Sequence, residues 1–160
     1  MVQKFGIIRQ TVFLEASPQE VYEAFLDPLK HSAFTGSPST STFELGVEFT
    51  AWDGYITAKN VELVKNERIV QEWETSEWPE GYPASRLELS LGSRRGGTEL
   101  TMVHSKVPAE QVEEYRGGWV SSYWDPLKGY LARERKAQRK TKLSKRVEKR
   151  ATVRRSRSSP

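Results

Sequence analysis

The sequence predicts an α+β domain in which a long C-terminal helix covers one face of a curved antiparallel sheet of about six or seven strands. Three observations predict it. Trp119, Tyr123, Trp124, Leu127, Tyr130 and Leu131 recur at spacings of three, four and seven, which places one wide apolar stripe on a single helix. Between Thr42 and Lys106, short β-rich runs alternate with turn residues, the pattern of a meander with no room for parallel crossovers. Within it, Leu87, Leu89 and Leu91 alternate with Arg86, Glu88 and Ser90, and Leu100, Met102 and His104 alternate with Glu99, Thr101 and Ser105. Each of these strands has one wet and one dry side, so the sheet needs a cover on one face, and the aromatic helix supplies it.

Taken in order, residues 5 to 14 (FGIIRQTVFL) read as the first strand, with a register that the blurred alternation leaves open. A short helical segment follows. Ser17 is its N-cap, Pro18 its first residue, and Glu20, three on from Ser17, closes a capping box; Val21, Tyr22, Phe25 and Leu26 form its apolar face. It stops at Asp27-Pro28, because a residue before proline is driven out of the α region. A short helical or irregular piece carries His31 and Phe34 to the breaker Gly36-Ser37-Pro38-Ser39. Strands are expected at 42 to 45, 47 to 52, 55 to 64, 68 to 75, 85 to 93 and 97 to 106, with turns at Asp53-Gly54, Lys65-Asn66-Glu67 and Gly96-Gly97. After Pro108 a short helix should end at Gly117-Gly118, and the aromatic helix begin. Pro126 lies inside that helix and cannot bond back to the Ser122 carbonyl, so a kink is expected, at a cost of about 3 kcal/mol.

The 160 residues suffice for one core. From residue 137 onward ten basic side chains face one acid, Glu148, a balance of +9; since the chain carries +4 overall, residues 1 to 136 carry −5. The sequence therefore reads as an acidic domain, 1–136, followed by a basic tail, 137–160, expected to be disordered. No cysteine is present, which removes disulfides and thiolate chemistry; with only His31 and His104, no metal site or cofactor is expected either. No apolar run resembles a signal peptide or a membrane span, so a cytoplasmic location is the default expectation.

Few side chains here can carry chemistry, and none is assigned a catalytic role. His104, on the dry side of its strand, could act as an acid or base only with an opening and a partner in reach; the plainer reading is a core-edge histidine satisfied by backbone. His31 is expected at the surface. Glu72, Glu74 and Glu77 read as a solvated edge, since paired-carboxylate chemistry needs one member desolvated. Trp78, Pro79, Glu80 and Tyr82 lie on a long connection with two exposed-looking aromatics, a candidate partner-contact loop, or else a rigid turn with Trp78 tucked in. In the tail, Arg139, Lys140, Arg146, Arg150, Arg154 and Arg155 are candidates for non-specific contact with polyanions such as nucleic acid or an anionic surface.

Several local sequences carry a resemblance. Ser17-Pro-Gln-Glu-Val-Tyr, Ala33-Phe-Thr, Asp53-Gly-Tyr-Ile-Thr-Ala, Arg68-Ile-Val-Gln-Glu-Trp73, Trp78-Pro-Glu-Gly81, Gly97-Thr-Glu-Leu-Thr, Gly118-Trp119 and Tyr123-Trp-Asp-Pro-Leu-Lys128 occur in that order. Together they resemble the C-terminal domain family of the activator of heat-shock protein 90 ATPase, within the START-like, birch-pollen-allergen-like superfamily. The resemblance covers residues 5 to 131; Ala58 stands where many members have glycine, and the tail is outside it. It implies a helix-grip fold with an apolar cavity between sheet and helix, here lined by Trp52, Trp73, His104, Trp119, Tyr123 and Trp124, although the same rings could simply fill the core. It also implies a non-enzymatic module that binds a small apolar ligand or a protein partner in that groove. The alternatives are a co-chaperone of heat-shock protein 90, a cyclase- or hydrolase-type enzyme built on His104, and polyanion association through the tail. The two-domain activator is implied to use a separate N-terminal domain, for which this length leaves no room.

Overall fold

A computed structural model describes residues 2–157, with side chains to residue 150. Six antiparallel strands form one sheet: β1 (Phe5–Leu14), β2 (Glu48–Ala51), β3 (Ile56–Val64), β4 (Arg68–Thr75), β5 (Ser85–Arg94) and β6 (Gly97–Pro108). Their spatial order is β1-β6-β5-β4-β3-β2, a meander from β2 to β6 with β1 returning to pair with β6. The helices are α1 (Pro18–Leu26), α2 (Pro28–Thr35), α3 (Val112–Trp119) and α4 (Asp125–Arg157). A single 3₁₀ turn, Ala109–Gln111, enters α3, and a π-helical turn, Val120–Trp124, joins α3 to α4.

The core lies between one face of the sheet and these helices. Ile8, Leu14, Ile69, Leu87, Leu89, Leu100 and Met102 are buried from the sheet side. Val21, Tyr22, Phe25 and Leu26 of α1 and Trp119, Tyr123, Trp124, Leu127 and Leu131 of the C-terminal helix are buried against them. On the opposite face Glu72 is exposed, and Val70 sits between Glu62 and Glu88, which Arg68 bridges at 3.3 and 3.0 Å. The fold is thus the expected helix-grip arrangement, with the expected N-cap: Ser17 Oγ accepts from the Glu20 N–H at 3.2 Å.

Four expectations for the folded domain fail, each for a local reason, and the tail departs from its expectation as well. Residues 42 to 45 are not a strand. The fully buried side chain of Asn60 donates to the carbonyls of Thr42 and Glu44, and the Asn60 backbone carbonyl accepts from the Gly46 N–H, so this segment is held by one residue and not by a ladder. The Gly96-Gly97 turn is shifted by one: Arg95 and Gly96 take the left-handed conformation (φ 49° and 77°), and Gly97 begins β6. Gly117-Gly118 stops nothing, since α3 runs on through both into the π turn. Pro126 follows that π turn and sits in the first turn of α4, where its missing N–H breaks no established ladder. The tail, expected to lack structure, continues α4 as far as Arg157; after Leu131 no described side chain of it is buried, so its helicity rests on local propensity and not on packing.

Gly97 is fixed by space, not by backbone conformation. A Cβ there would lie 2.7 Å from Phe13 Cζ and closer still to the Leu14 carbonyl oxygen. Gly97→Ala is expected to destabilise the domain by ~1–3 kcal/mol, read as a lower urea midpoint with an unchanged slope.

Candidate functional site

The C-terminal helix meets the sheet through large rings, and each ring brings a polar atom that must be satisfied. Trp119 Nε1 donates to His104 Nδ1 at 3.1 Å, which fixes the lone pair on Nδ1 and the proton on Nε2. His104 Nε2–H then donates to Ser85 Oγ at 2.8 Å, and Ser85 donates to the Trp73 carbonyl. Across the helix, the Tyr123 hydroxyl donates to His31 Nε2 at 3.1 Å, because His31 Nδ1 is committed as donor to the Phe25 carbonyl at 2.9 Å. Trp124 Nε1 donates to Gln10 Oε1 at 2.6 Å. Both histidines are thereby neutral and inside. Burial holds His104 down to about 3, and burial lowers His31 as well, with its Phe25 bond opposing.

His31 was expected at the surface and is buried; Phe25, Phe34 and Tyr123 surround its ring. His104 is buried as expected but satisfied by side chains, where backbone was expected.

Beside this seam lies a cavity of about 320 Å³. Its walls include Trp52, Tyr55 and Ile56 at the start of β3, Trp73 and Thr75 of β4, and two rows of the C-terminal helix. One row is aromatic, Tyr115, Trp119 and Tyr123; the other is Glu114, Gly118 and Ser122, and its two small members leave the space open. Of the six residues expected to line a cavity, Trp52, Trp73, Trp119 and Tyr123 do so. His104 and Trp124 do not, since His104 lies behind the rings of Trp73 and Trp119, and Trp124 turns toward β1 to reach Gln10. Tyr55, Ile56, Thr75, Glu114, Tyr115, Gly118 and Ser122 line it as well and are not among the expected residues. For the helix residues the signal is the four-residue spacing of positions 114, 118, 122 and 115, 119, 123, which a break at Gly117-Gly118 hides.

The rim is polar. Thr75 Oγ1 and the Tyr115 hydroxyl lie 2.7 Å apart, and Tyr115 donates onward to Gln111 Oε1 at 2.8 Å, so Thr75 is the donor to Tyr115. The Tyr55 hydroxyl donates to Glu77 at 3.2 Å. Burial raises the Tyr55, Tyr115 and Tyr123 hydroxyls, which stay protonated donors. Partial desolvation, and then the charge and hydrogen bond of Glu77, raise the Glu114 carboxyl. Trp52 carries two local costs: it is held at φ 52°, disfavoured for a bulky side chain, and its indole N–H is buried with no hydrogen-bond partner.

Of the two readings of the loop at 78 to 83, its conformation is that of the rigid turn with Trp78 tucked in, and the exposure that a partner-contact loop needs is largely missing. Trp78 stacks on Tyr115 and donates to the Pro83 carbonyl, while Tyr82 packs on Phe5 and its hydroxyl accepts from the Lys4 N–H; of Trp78, Pro79, Glu80 and Tyr82 only Glu80 is exposed. Arg139, Lys140, Arg146 and Arg150 are exposed along α4, and the side chains of Arg154 and Arg155 lie outside the described residues. Among the described residues no group of three or more His, Asp or Glu could hold a metal ion, and no helix is long and apolar enough to cross a membrane.

Residues 15–132 match the family model described as "Activator of Hsp90 ATPase homolog 1-like protein". The chain belongs to that family. It is 35% identical over 120 residues to human activator of 90 kDa heat shock protein ATPase homolog 1, covering 73% of this chain and 35% of the relative. A Dictyostelium discoideum homologue is 27% identical over 114 residues, covering 71% of this chain and 30% of its own length. The chain thus spans about a third of the length of the curated relatives it matches. Among solved structures it superposes on an HSP90 activator from Plasmodium falciparum with a TM-score of 0.73 at 21% identity, covering 79% of this chain and 96% of that one. CalU16 from Micromonospora echinospora superposes with a TM-score of 0.63 at 25% identity, covering 83% and 79%. Residues 137–160, with the basic tail, lie beyond the family match.

The buried neutral histidines have a consequence for stability. His104 has a folded value near 3 against 6.5 for an ordinary histidine, so between those limits the unfolded chain binds more protons. Its contribution to stability is full above pH 6.5 and is lost as pH falls toward 3. At full proton difference the slope is about 1.4 kcal/mol per pH unit. His104→Leu, though less stable at neutral pH, is expected to lose less further stability between pH 6.5 and 4.5, measured by urea titration at each pH.

Proposed function

We propose that this domain is a non-enzymatic binding module that takes a small, largely apolar ligand in the groove between sheet and C-terminal helix. The observation that carries the reading is the cavity of about 320 Å³ walled by six aromatic side chains, within the range of small-molecule sites and rimmed by a few hydroxyls. Trp52 supports it: an unpaired N–H and a left-handed backbone at one wall residue are costs that a ligand contact would offset. A chemical step is disfavoured, because His104 is held between Ser85 and Trp119 and does not line the cavity.

A second reading, a co-chaperone of heat-shock protein 90, is favoured by the identity with the human activator and rests on only a third of that relative's length. It predicts that the purified domain changes ATP turnover by heat-shock protein 90; unchanged turnover together with no binding removes it. The exposed tail arginines and lysines would add non-specific, salt-sensitive contact with polyanions.

The pocket reading is tested at Gly118. Its backbone is helical and a Cβ there meets nothing within 4 Å, so a larger side chain fits the fold while occupying the cavity. Gly118→Leu is expected to keep or slightly raise Tm and to reduce binding of an apolar fluorescent probe at least about tenfold, near 1.4 kcal/mol. Undiminished binding would place the probe elsewhere.

A further inference from the structure

Resting on the pocket reading, we infer that the ligand is an organic cation: an apolar body carrying an ammonium-type charge, not a fatty acid or other anion. The walls present Trp52, Tyr55, Trp73, Tyr115, Trp119 and Tyr123, and the faces of such rings attract cations, more strongly as the site is desolvated. The lining contains one charged side chain, Glu114, and no lysine, arginine or histidine. Glu77, hydrogen-bonded by Tyr55 of the wall, stands next to Glu114, so two carboxylates meet at the same edge of the cavity. Arg116, on the same helix, is directed away to Glu113 at 3.3 Å and does not line the space. An anionic ligand would meet ring faces and carboxylates and find no cation to pair with. A cation would meet ring faces inside and carboxylates at the mouth, both of favourable sign. Tyr115 and Thr75 are committed to each other and to Gln111; the unpaired Trp52 indole N–H can meet one neutral acceptor on the ligand's body but is not the donor cluster that a carboxylate head group needs.

The test uses three probes with one skeleton: benzyltrimethylammonium, its uncharged isostere neopentylbenzene, and benzylphosphonate, each titrated against tryptophan fluorescence of the full chain. The cation is expected to bind about tenfold or more tighter than the hydrocarbon, with the phosphonate weakest. In the double variant Glu77→Gln/Glu114→Gln the preference for the cation should shrink severalfold, to what the ring faces alone supply, while Tm stays unchanged. Equal binding of cation and hydrocarbon to the unmodified chain, or a preference undiminished in the double variant, overturns the cation assignment and leaves the pocket reading in place. If none of the three perturbs the fluorescence, the pocket reading itself fails and the assignment with it.

Discussion

The structure depends on how the C-terminal helix buries three large rings without stranding their polar atoms. Trp119, Tyr123 and Trp124 each spend one hydrogen bond on a different element: His104 of β6, His31 of α2 and Gln10 of β1. An apolar stripe alone would let the helix slide or roll on the sheet at little cost, because hydrophobic burial is not directional. Three buried donors with three separate acceptors fix rotation and register together, since moving the helix would leave each of them unpaired.

The π turn serves the same end. In an α-helix, residues five apart point about 140° from each other; closing the turn from Asp125 N–H to Val120 O brings position 124 back beneath 119. Trp119 can then stack on Trp124, with ring centroids 5.4 Å apart, while the Tyr123 ring centroid stays 4.7 Å away. The proline that follows marks where the chain resumes α geometry. A helix without the wide turn would have to direct one of these rings away from the core.

Much of the fold was legible because it follows period and punctuation. Leu87, Leu89 and Leu91 declared their face, Ser17 and Pro18 their helix start, Asp53-Gly54 its hairpin. What stayed hidden depends on partners distant in sequence. Nothing around Asn60 signals that its amide would replace a strand at 42 to 45, and nothing beside His31 names Tyr123 as its partner. The site was half legible. Aromatic content singled out Trp52, Trp73, Trp119 and Tyr123, whereas Glu114 and Tyr115 lay on the far side of a glycine pair that resembled an end and Gly118 belonged to that pair. Glycine at those positions gives room and not a stop, which only the course of the helix reveals.

The projecting part of α4 makes the molecule an electric dipole. From Leu131 to Arg150 a helix rises ~28 Å, more than three screening lengths at physiological salt, each about 8 Å. The charges on the distal part of that arm are therefore screened from the cavity mouth, even though the chain as a whole is net basic, with a pI of about 9.3. Bulk properties such as retention on an ion exchanger will report the arm, whereas a solute approaching the opening meets the local potential of Glu77 and Glu114.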